Sequence, residues 1–289
     1  MIEKRYLCMI KSKRMNHYDF TIVLCYNSAI RKWHMEKQKE TFHVQVNGFD
    51  VEAMYSTDFL EEVIKPLIRS WTTIYKKRKQ RVVVFLAAPP AAGKSTLATM
   101  IAHVSSQMPD VLPVQDLGMD GFHHYQRYIL THEVVVDGKP VPMKSVKGCP
   151  ESFDYERFKE MLKEVKQKNL YWPLYNRVKH DVEDDKIEVY APIVLIEGNY
   201  MLLDEEPWRE LSFLCDDSIF IDADQDMLFQ RLVKRKLMGG MPPHEAVSFC
   251  EKSDMRNVIR ILEHRLQANH CFYYDGSDYI IQGKEDKLC

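Results

Sequence analysis

A strand of buried character, followed at once by a loop of small residues, most limits what this chain can fold into. Val82 to Ala87 is a continuous β-branched, aromatic and aliphatic run, which is typical of a parallel strand covered on both faces. The next eight residues fit the phosphate-binding pattern G-x-x-x-x-G-K-[ST], with alanine in place of the first glycine, and an apparent helix follows from Thr96. These eight residues are Ala88, Pro89, Pro90, Ala91, Ala92, Gly93, Lys94 and Ser95.

The loop predicts how the phosphates of a nucleotide are held. Its backbone N–H groups and the helix N-terminus can face the phosphates, so residues 88–96 are expected to bind ATP. Gly93 lets the backbone approach closely, Lys94 is expected to bridge the β and γ phosphates, and Ser95 is expected to ligate Mg²⁺. At Ala88 a negative φ suits the small side chain. The alternative is an ordinary turn of small residues that contains a lysine.

Further strand candidates alternate with helical stretches after this loop. The helix from Asp154 to Lys168 has apolar residues that share one face. The alternation predicts an α/β fold, a P-loop NTPase three-layer sandwich with a mainly parallel, doubly wound sheet. The strand candidates are Leu112 to Gln115, Ile193 to Ile196, Ser218 to Ile221 and Tyr279 to Gln282.

Three segments are expected along the chain. Residues 1–34 are rich in Lys and Arg and are interpreted as an appendage of uncertain status. Residues 35–81 are expected to form a small extension, a hairpin that turns at Asn47-Gly48 and a helix that Pro66 kinks or divides. Residues 82–289 are expected to form the phosphate-loop domain.

The composition of the 289 residues is that of an ordinary globular protein. The formal net charge is −2 with 28% charged residues, so no overall field attracts nucleic acid or a membrane. No apolar run approaches the roughly 20 residues of a membrane helix, and the N-terminus lacks the layout of a signal peptide. The seven cysteines are scattered without a C-x-x-C pair, which argues against a disulfide framework and a zinc site. We therefore expect a cytoplasmic protein.

Asp120 is the candidate for handling the hydroxyl group of an acceptor. It lies in the segment Met119 to His123, just past the second predicted strand, where the carboxyl ends of parallel strands line the ligand crevice. Its carboxylate could accept the proton of an attacking hydroxyl group. His123, before His124, could orient Asp120 or contact the acceptor, and a purely structural role is an equal alternative for either histidine.

Charged residues later in the chain complete the expected site. Glu197 ends the strand from Ile193 and could orient Mg²⁺, the alternative being a simple charge at a strand end. Arg231 and Arg235 are four residues apart on a helix, so both could reach a transferring phosphoryl group. The Gly239-Gly240 segment that follows suits a helical lid. A solvated basic helix and an ordinary loop are the alternatives.

Two loop residues are candidates for holding the acceptor. Arg177 can make paired hydrogen bonds to a phosphate or a carboxylate, and Lys147 can attract an anionic or polyhydroxyl molecule. Solvated surface charge is an equal interpretation of Lys147.

Several motifs, taken in order, give the sequence a family resemblance. They are Gly93 to Thr96, Met119 to His123, Lys147 to Asp154, Tyr175 to Arg177 with His180-Asp181, Ile196 to Tyr200, and Arg231 to Arg235. With these motifs the chain resembles the phosphoribulokinase, uridine kinase and bacterial pantothenate kinase family. Within it, the closer likeness is to the nucleoside/nucleotide kinase-like branch, some members of which are described as sugar or fructose kinases. The resemblance covers roughly residues 82–282.

The resemblance implies roles for particular residues. It makes Asp120 the catalytic base, Glu197 a Mg²⁺-associated carboxylate, and Arg231 with Arg235 lid residues. The segment around Arg256 resembles the one that contacts the nucleotide base in related kinases. The residues expected to contact the acceptor are Asp120, His123, Lys147, Arg177, Glu197 and Tyr200.

The chain departs from the family pattern at two positions near the acceptor motifs. Asn176 stands where an Asp is common, and Cys149 stands where a small apolar residue is common. Neither position touches the phosphate machinery, but both leave the acceptor undefined by the resemblance.

The expected function is transfer of the γ-phosphate of Mg·ATP to a hydroxyl group of a small metabolite. A nucleoside, a sugar or a pantothenate-like molecule would serve as acceptor. The main alternative is a nucleotide-binding regulatory or interaction protein that uses ATP as a switch, with the first 80 residues contacting a partner. A work-coupled ATPase is disfavoured because it leaves Asp120 without a purpose. Neither nucleic acid nor a membrane is an expected partner, and a homodimer is one option for assembly.

Overall fold

The strands of the computed structural model, which describes residues 38–46 and 49–281, are numbered here in chain order. Among the first six, two make the N-terminal pair and two make a small hairpin: β1 (Lys39–Val46), β2 (Phe49–Ser56), β3 (Val82–Ala87), β4 (Val114–Gly118), β5 (Glu133–Val136) and β6 (Lys139–Pro142). The others are β7 (Leu170–Asn176), β8 (Asp181–Val189), β9 (Ile193–Gly198), β10 (Asp217–Ala223), β11 (His270–Tyr274) and β12 (Tyr279–Ile281).

The α-helices lie between these strands. They are α1 (Thr57–Phe59), α2 (Lys65–Arg78), α3 (Lys94–Gln107), α4 (Gln126–Thr131), α5 (Tyr155–Val165), α6 (Gln225–Met238), α7 (Pro243–Phe249) and α8 (Met255–Glu263). Short 3-10 turns cover Met119–Phe122, Met143–Val146, Pro150–Ser152 and Trp208–Leu214, and π-turns cover Leu60–Ile64 and Cys250–Asp254.

A six-stranded sheet forms the centre of the fold, in the order β12-β11-β10-β3-β9-β4. Every neighbouring pair is parallel except β11 and β12 at one edge, which are antiparallel. Helices pack on both faces, so the predicted α/β class and mainly parallel sheet are confirmed. β1 and β2 form a separate two-stranded sheet, as do β5 with β6 and β7 with β8.

The alternation of side chains along β3 explains the two layers of core. Val82, Val84 and Leu86 join one hydrophobic core, which also contains residues of α2, α3 and α6. The intervening residues 83, 85 and 87 join the other, which contains residues of α5. Because a strand presents successive side chains to opposite faces, an uninterrupted apolar run is what a doubly covered strand requires.

The second sheet strand begins later than the predicted Leu112 to Gln115. Leu112 donates its backbone N–H to the Thr72 hydroxyl at 3.1 Å, and Pro113 has no N–H to give to a ladder. The strand therefore starts at Val114 and runs to Gly118. That shift carries its end directly to the 3-10 turn of Asp120.

The N-terminal helix is divided near Pro66, as predicted. Its first turn is capped by Ser56, whose Oγ accepts from the Phe59 N–H at 3.2 Å. A π-turn then ends at Ile64, and α2 begins at Lys65 with Pro66 in its first turn, where a missing N–H is tolerated. The predicted turn at Asn47-Gly48 lies outside the described residues, as do residues 1–34. The predicted boundary between the N-terminal extension and the phosphate-loop domain, at residue 82, stays a prediction.

An aromatic column connects both ends of the described chain to the phosphate loop. Phe59 stacks on Tyr279 with ring centroids 5.1 Å apart, Tyr55 stacks on Tyr279 at 5.9 Å, and Phe272 meets Phe59 edge-on at 5.4 Å. A Cβ atom added to Gly93 would lie 3.3 Å from the Tyr279 hydroxyl. The aromatic column, defined as these four rings, therefore supports the loop from behind.

Two further expectations concern cysteines and membranes. Cys149, Cys215 and Cys250 are free thiols, but Cys271 is disulfide-bonded, which the scattered cysteines did not predict. Over residues 38–46 and 49–281, the helices are too short or too polar to span a bilayer.

Candidate active site

The phosphate loop joins the end of β3 to the start of α3. Within the described part of this loop, positive φ occurs at Ala91 (66°) and Gly93 (96°) and not at Ala88, so the ordinary backbone expected at the alanine is confirmed. Gly93 precedes the first helical residue, Lys94. Glycine suits this left-handed position because it has no Cβ, and the N-terminus of a helix attracts anions.

Glu197 reaches the loop because of the strand register. It pairs with Leu86 of β3 on one side and with Gly118 of β4 on the other. Its Oε1 accepts from the Ser95 hydroxyl at 2.8 Å, and its Oε2 lies 3.9 Å from Lys94 Nζ. The side chains of Lys94 and Glu197 are each 13% exposed, so their charges are largely removed from water.

Burial shifts both groups towards neutrality. Desolvation lowers the pKa of Lys94, against the pull of Glu197, and desolvation raises the pKa of Glu197, against the pull of Lys94. A phosphate near Lys94 and a cation near Glu197 would each restore the charged form. The Lys94–Glu197 pair is therefore suited to a site that receives a phosphate and a cation together.

The donor set fits Mg²⁺ when a nucleotide supplies part of the coordination. The Ser95 hydroxyl and the Glu197 carboxylate are oxygen donors of the kind that Mg²⁺ prefers. In the part of the chain that the structure describes, no group of three or more His, Cys, Asp or Glu could hold a metal alone. The remaining ligands would come from phosphate oxygens and water, which is usual for Mg²⁺.

Asp120 lies in the 3-10 turn after β4 and faces the same cavity. Its Oδ2 is 3.2 Å from Arg177 Nη2. Burial alone would raise the pKa of this carboxyl, but its coulombic interactions with His123, when that ring is protonated, and with the permanent positive charges of Arg177, Lys94 and Arg235 bring the pKa below its usual value. The carboxylate is therefore held in its ionised form.

His123 is fixed beside this carboxylate. Its Nδ1 lies 2.9 Å from the Asp120 carbonyl oxygen, and its ring is 3.9 Å from the Phe153 ring and 5.2 Å from the Tyr175 ring. Burial lowers the pKa of His123, so the neutral ring is favoured. Because a carbonyl only accepts, Nδ1 carries the proton in that bond, and Nε2 is left as an acceptor.

These groups converge on one cavity of about 310 Å³. Its lining includes most of the residues expected from the sequence: Pro90, Ala91, Gly93, Lys94, Ser95, Thr96, Asp120, His123, Lys147, Arg177, Glu197 and Arg235. Ala88, Pro89 and Ala92 are buried parts of the loop that do not line the cavity.

Three further expected residues are not part of the cavity lining. Arg231 donates from Nη1 to the Ala91 carbonyl at 3.3 Å and covers the Tyr274 ring at 4.6 Å, so it contacts the loop itself. The buried Tyr200 donates its hydroxyl to the Gly148 carbonyl. Arg256 donates to both carboxylate oxygens of Asp137, at 2.7 and 2.8 Å, and so points to the β5–β6 hairpin.

Several lining residues were not singled out from the sequence. Gly148, Phe153, Tyr175 and Asn199 stood within the quoted motifs, but their individual roles carried no local signal. Others come from segments whose packing no sequence pattern shows. The residues missed include Val46, Gly148, Phe153, Tyr175, Asn199, Lys236, Asp254 and Asn257.

Gly121, next to Asp120, has no room for a side chain. A Cβ there would lie 2.2 Å from the Pro173 carbonyl oxygen and 2.6 Å from its carbon, both of which are backbone atoms. We expect Gly121→Ala to lower the free energy of unfolding by about 1–3 kcal/mol or more, as overpacking does, measured by urea denaturation. The matched control is Gly118→Ala, whose new Cβ would be 3.7 Å from its nearest neighbour. Equal stability of the two variants would contradict this account.

Known proteins are similar to this chain in sequence. The sequence model of the Phosphoribulokinase / Uridine kinase family matches residues 83–240. The Escherichia coli (strain K12) protein YggC is 41% identical over 225 residues, covering 78% of this chain and 91% of that protein. A Schizosaccharomyces pombe protein with the provisional name of uridine kinase is 27% identical over 210 residues, covering 68% of this chain and 87% of that protein.

A solved structure extends the likeness to the fold. It is a protein of Silicibacter sp. TM1040 with the provisional name of fructose transport system kinase. It is 29% identical to this chain with a TM-score of 0.62, covering 73% of this chain and 98% of that one. The predicted P-loop kinase fold is thereby confirmed. The chain belongs to the phosphoribulokinase/uridine kinase family.

Proposed function

We propose that this protein transfers the γ-phosphate of Mg·ATP to a hydroxyl group of a small molecule. The observation that carries the proposal is the convergence of Lys94, Glu197 and Asp120, from the ends of three adjacent strands, on one cavity. The first two serve the nucleotide, and an ionised carboxylate opposite them has no use in a simple nucleotide switch. Membership of a family of small-molecule kinases supports the same reading.

The nucleotide would be held by the phosphate loop and Lys94. Mg²⁺, when bound through Ser95 and Glu197, would neutralise charge on the phosphates. Arg235 lines the cavity from α6, and its positive charge acts on Lys94 and Asp120. Preorganised donors of this kind stabilise the charge that develops on a transferring phosphoryl group.

Asp120 would orient the acceptor hydroxyl and take its proton. Because its pKa is held below the usual value, it is a weak base that does not remove the proton in advance. A late proton transfer suits a loose, largely dissociative transition state, in which the attacking oxygen gains little charge early. His123 would hold the Asp120 turn through the Asp120 carbonyl.

The test is release of ADP by the purified protein with Mg·ATP and a panel of acceptors. The panel contains sugars, nucleosides, hydroxy acids and phosphorylated sugars, since the relatives carry names of uridine and fructose kinases. We expect ADP release that depends on an acceptor, with phosphorylated acceptor as the second product. Tight ATP binding with a flat response to every acceptor would favour the regulatory alternative.

A further inference from the structure

Among the charged side chains that line the active-site cavity, the basic residues outnumber the acidic ones. Their acidic members are Asp120, Glu197 and Asp254, and their basic members are Lys94, Lys147, Arg177, Arg235 and Lys236. Three ion pairs use all the acids: Lys94 with Glu197 at 3.9 Å, Arg177 with Asp120 at 3.2 Å, and Lys236 with Asp254 at 3.3 Å.

Lys147 and Arg235 are the basic lining residues that make no ion pair within residues 38–46 and 49–281. Arg235 belongs to the same helix as Arg231, which contacts the phosphate loop, so the nucleotide phosphates account for its charge. Lys147 comes from a different segment, after the 3-10 turn Met143–Val146. No carboxylate lies within ion-pair distance of its ammonium among the described residues, although the Tyr175 ring lies 4.9 Å from it and the charges of Asp181 and Asp120 act on it from further away.

Neutral oxygens hold the Lys147 ammonium in place. It donates to Gln126 Oε1 at 2.8 Å, to the Tyr175 hydroxyl at 2.8 Å and to the His180 carbonyl at 3.4 Å. Burial lowers its pKa, against the pull of Asp181 and of Asp120. The Asp181 Oδ1 accepts from the backbone N–H groups of Gln126 and Val182, and Asp120 is paired with Arg177. A partly buried cation without a contacting anion is costly, and the long bond to His180 is easily exchanged for a ligand oxygen.

Other groups that line the cavity have unused hydrogen-bonding capacity. Tyr175 accepts from Lys147, so its own O–H is available to donate into the cavity. The residues Arg177 and Asn199 also line the cavity, and Arg177 Nε and Asn199 Oδ1 are buried atoms without a hydrogen-bond partner in the part of the chain that the structure describes. Two donors and a cation suit the oxygens of an anion, while the Asn199 carbonyl suits a hydroxyl of the same molecule.

We propose that the phosphoryl acceptor is a small hydroxylated anion, a carboxylate or a phosphate monoester, whose anionic group binds Lys147. The proposal rests on the proposed kinase function and specifies the acceptor for it. One hydroxyl group of the acceptor lies at Asp120, and its anionic end lies at Lys147 with Tyr175 and Arg177. A neutral nucleoside or sugar leaves the Lys147 charge uncompensated.

Anion binding can be tested before the acceptor is known. The full-length protein is saturated with Mg²⁺ and the non-hydrolysable β,γ-imido analogue of ATP, which fills the γ-phosphate position, and is then titrated with acetate or inorganic phosphate while Tm is recorded. We expect at least one anion to raise Tm saturably. A response to acetate alone indicates a carboxylate acceptor, and a response to phosphate alone indicates a phosphate monoester. No response to either anion would overturn the proposal.

Variants of the lysine separate its charge from its packing. Lys147→Gln should weaken the anion response about tenfold or more, because it removes a charge-assisted contact, whereas Lys147→Arg, which keeps the charge, should retain it. The matched control is Lys144→Gln, which changes an exposed lysine three residues away and should respond as the wild type does. An unchanged response in Lys147→Gln would place the anion elsewhere and overturn the proposal.

Steady-state kinetics distinguish this proposal from the kinase function on which it rests. With anionic acceptors, Lys147→Gln should raise the acceptor KM about tenfold or more while the ATP KM stays unchanged. Turnover of a neutral acceptor, with the same KM in Lys147→Gln, would refute the anionic acceptor and leave the kinase function standing. Lys147-dependent anion binding without acceptor-dependent ADP release would refute the kinase function instead.

Discussion

Asp120→Asn is expected to reduce kcat by about 10²–10⁴-fold while the affinity for ATP stays within a few-fold of the wild type. Asparagine can still accept from Arg177, so the 3.2 Å contact at this position can persist, but the amide cannot take up the proton of the acceptor hydroxyl. Acceptor-dependent ADP release measures kcat, and titration with the β,γ-imido analogue measures nucleotide affinity. The matched control is Asp185→Asn, at an exposed position with φ of 52° that asparagine tolerates.

The pH dependence provides a second measurement of the same role. The pKa of Asp120 is lowered in the folded protein, so the carboxylate stays ionised until the pH falls below the ordinary value of about 3.9. We expect no loss of kcat from this group between neutral pH and about pH 5, and a loss only below that. An Asn variant with near-normal kcat would remove Asp120 from the role of base.

Lys94→Ala is expected to damage both nucleotide binding and turnover. The ammonium lies at the start of α3 beside the expected β and γ phosphates, and losing one preorganised donor there costs about 10²–10³-fold in kcat. The same change leaves Glu197 buried without its 3.9 Å partner, so the pKa of that carboxyl rises further and its value as a Mg²⁺ ligand falls. We therefore expect ATP affinity to fall as well.

Two measurements separate this effect from misfolding. Titration with the β,γ-imido analogue reports affinity, and urea denaturation without nucleotide reports stability. The alanine removes one desolvated charge but leaves Glu197 without its partner, and we expect the variant to remain folded. Lys163→Ala, at an exposed position on α5, is the matched control and should behave as the wild type. Normal turnover in Lys94→Ala would contradict the role of the loop as a phosphoryl-transfer site.

The phosphate loop and its strand could be predicted because they are local. Val82 to Ala87 is buried on both faces, and Gly93 with Lys94 marks the turn into α3. These features involve residues that are close together in the sequence, so a local sequence pattern is enough to indicate them. Glu197 could be placed because a strand-ending carboxylate in a parallel sheet lies at the edge where ligands bind. Each of these predictions needed only residues close together in the sequence and the rule that ligands bind at the carboxyl ends of parallel strands.

Other features depend on contacts between distant segments. β11 has the aromatic-rich sequence His270–Tyr274 rather than an aliphatic run, and its pairing with β10 makes it a strand. Arg231 and Arg235 lie on one helix, yet packing against Ala91 and Tyr274 separates their roles. Lys147 meets Tyr175 of β7 only because two segments 28 residues apart fold together. No local pattern carries such information.

The aromatic column joins the first and last described segments of the chain to the phosphate loop. Tyr55 and Phe59 come from the first described segments and Tyr279 from the last strand, and Tyr279 backs Gly93 of the phosphate loop. We expect bound nucleotide to stabilise the packing of these segments, and since linkage is reciprocal, a change that loosens this packing should weaken nucleotide binding by the same free energy. Amide hydrogen exchange in β2 and β12 is then expected to be slower with nucleotide bound to the phosphate loop than without it.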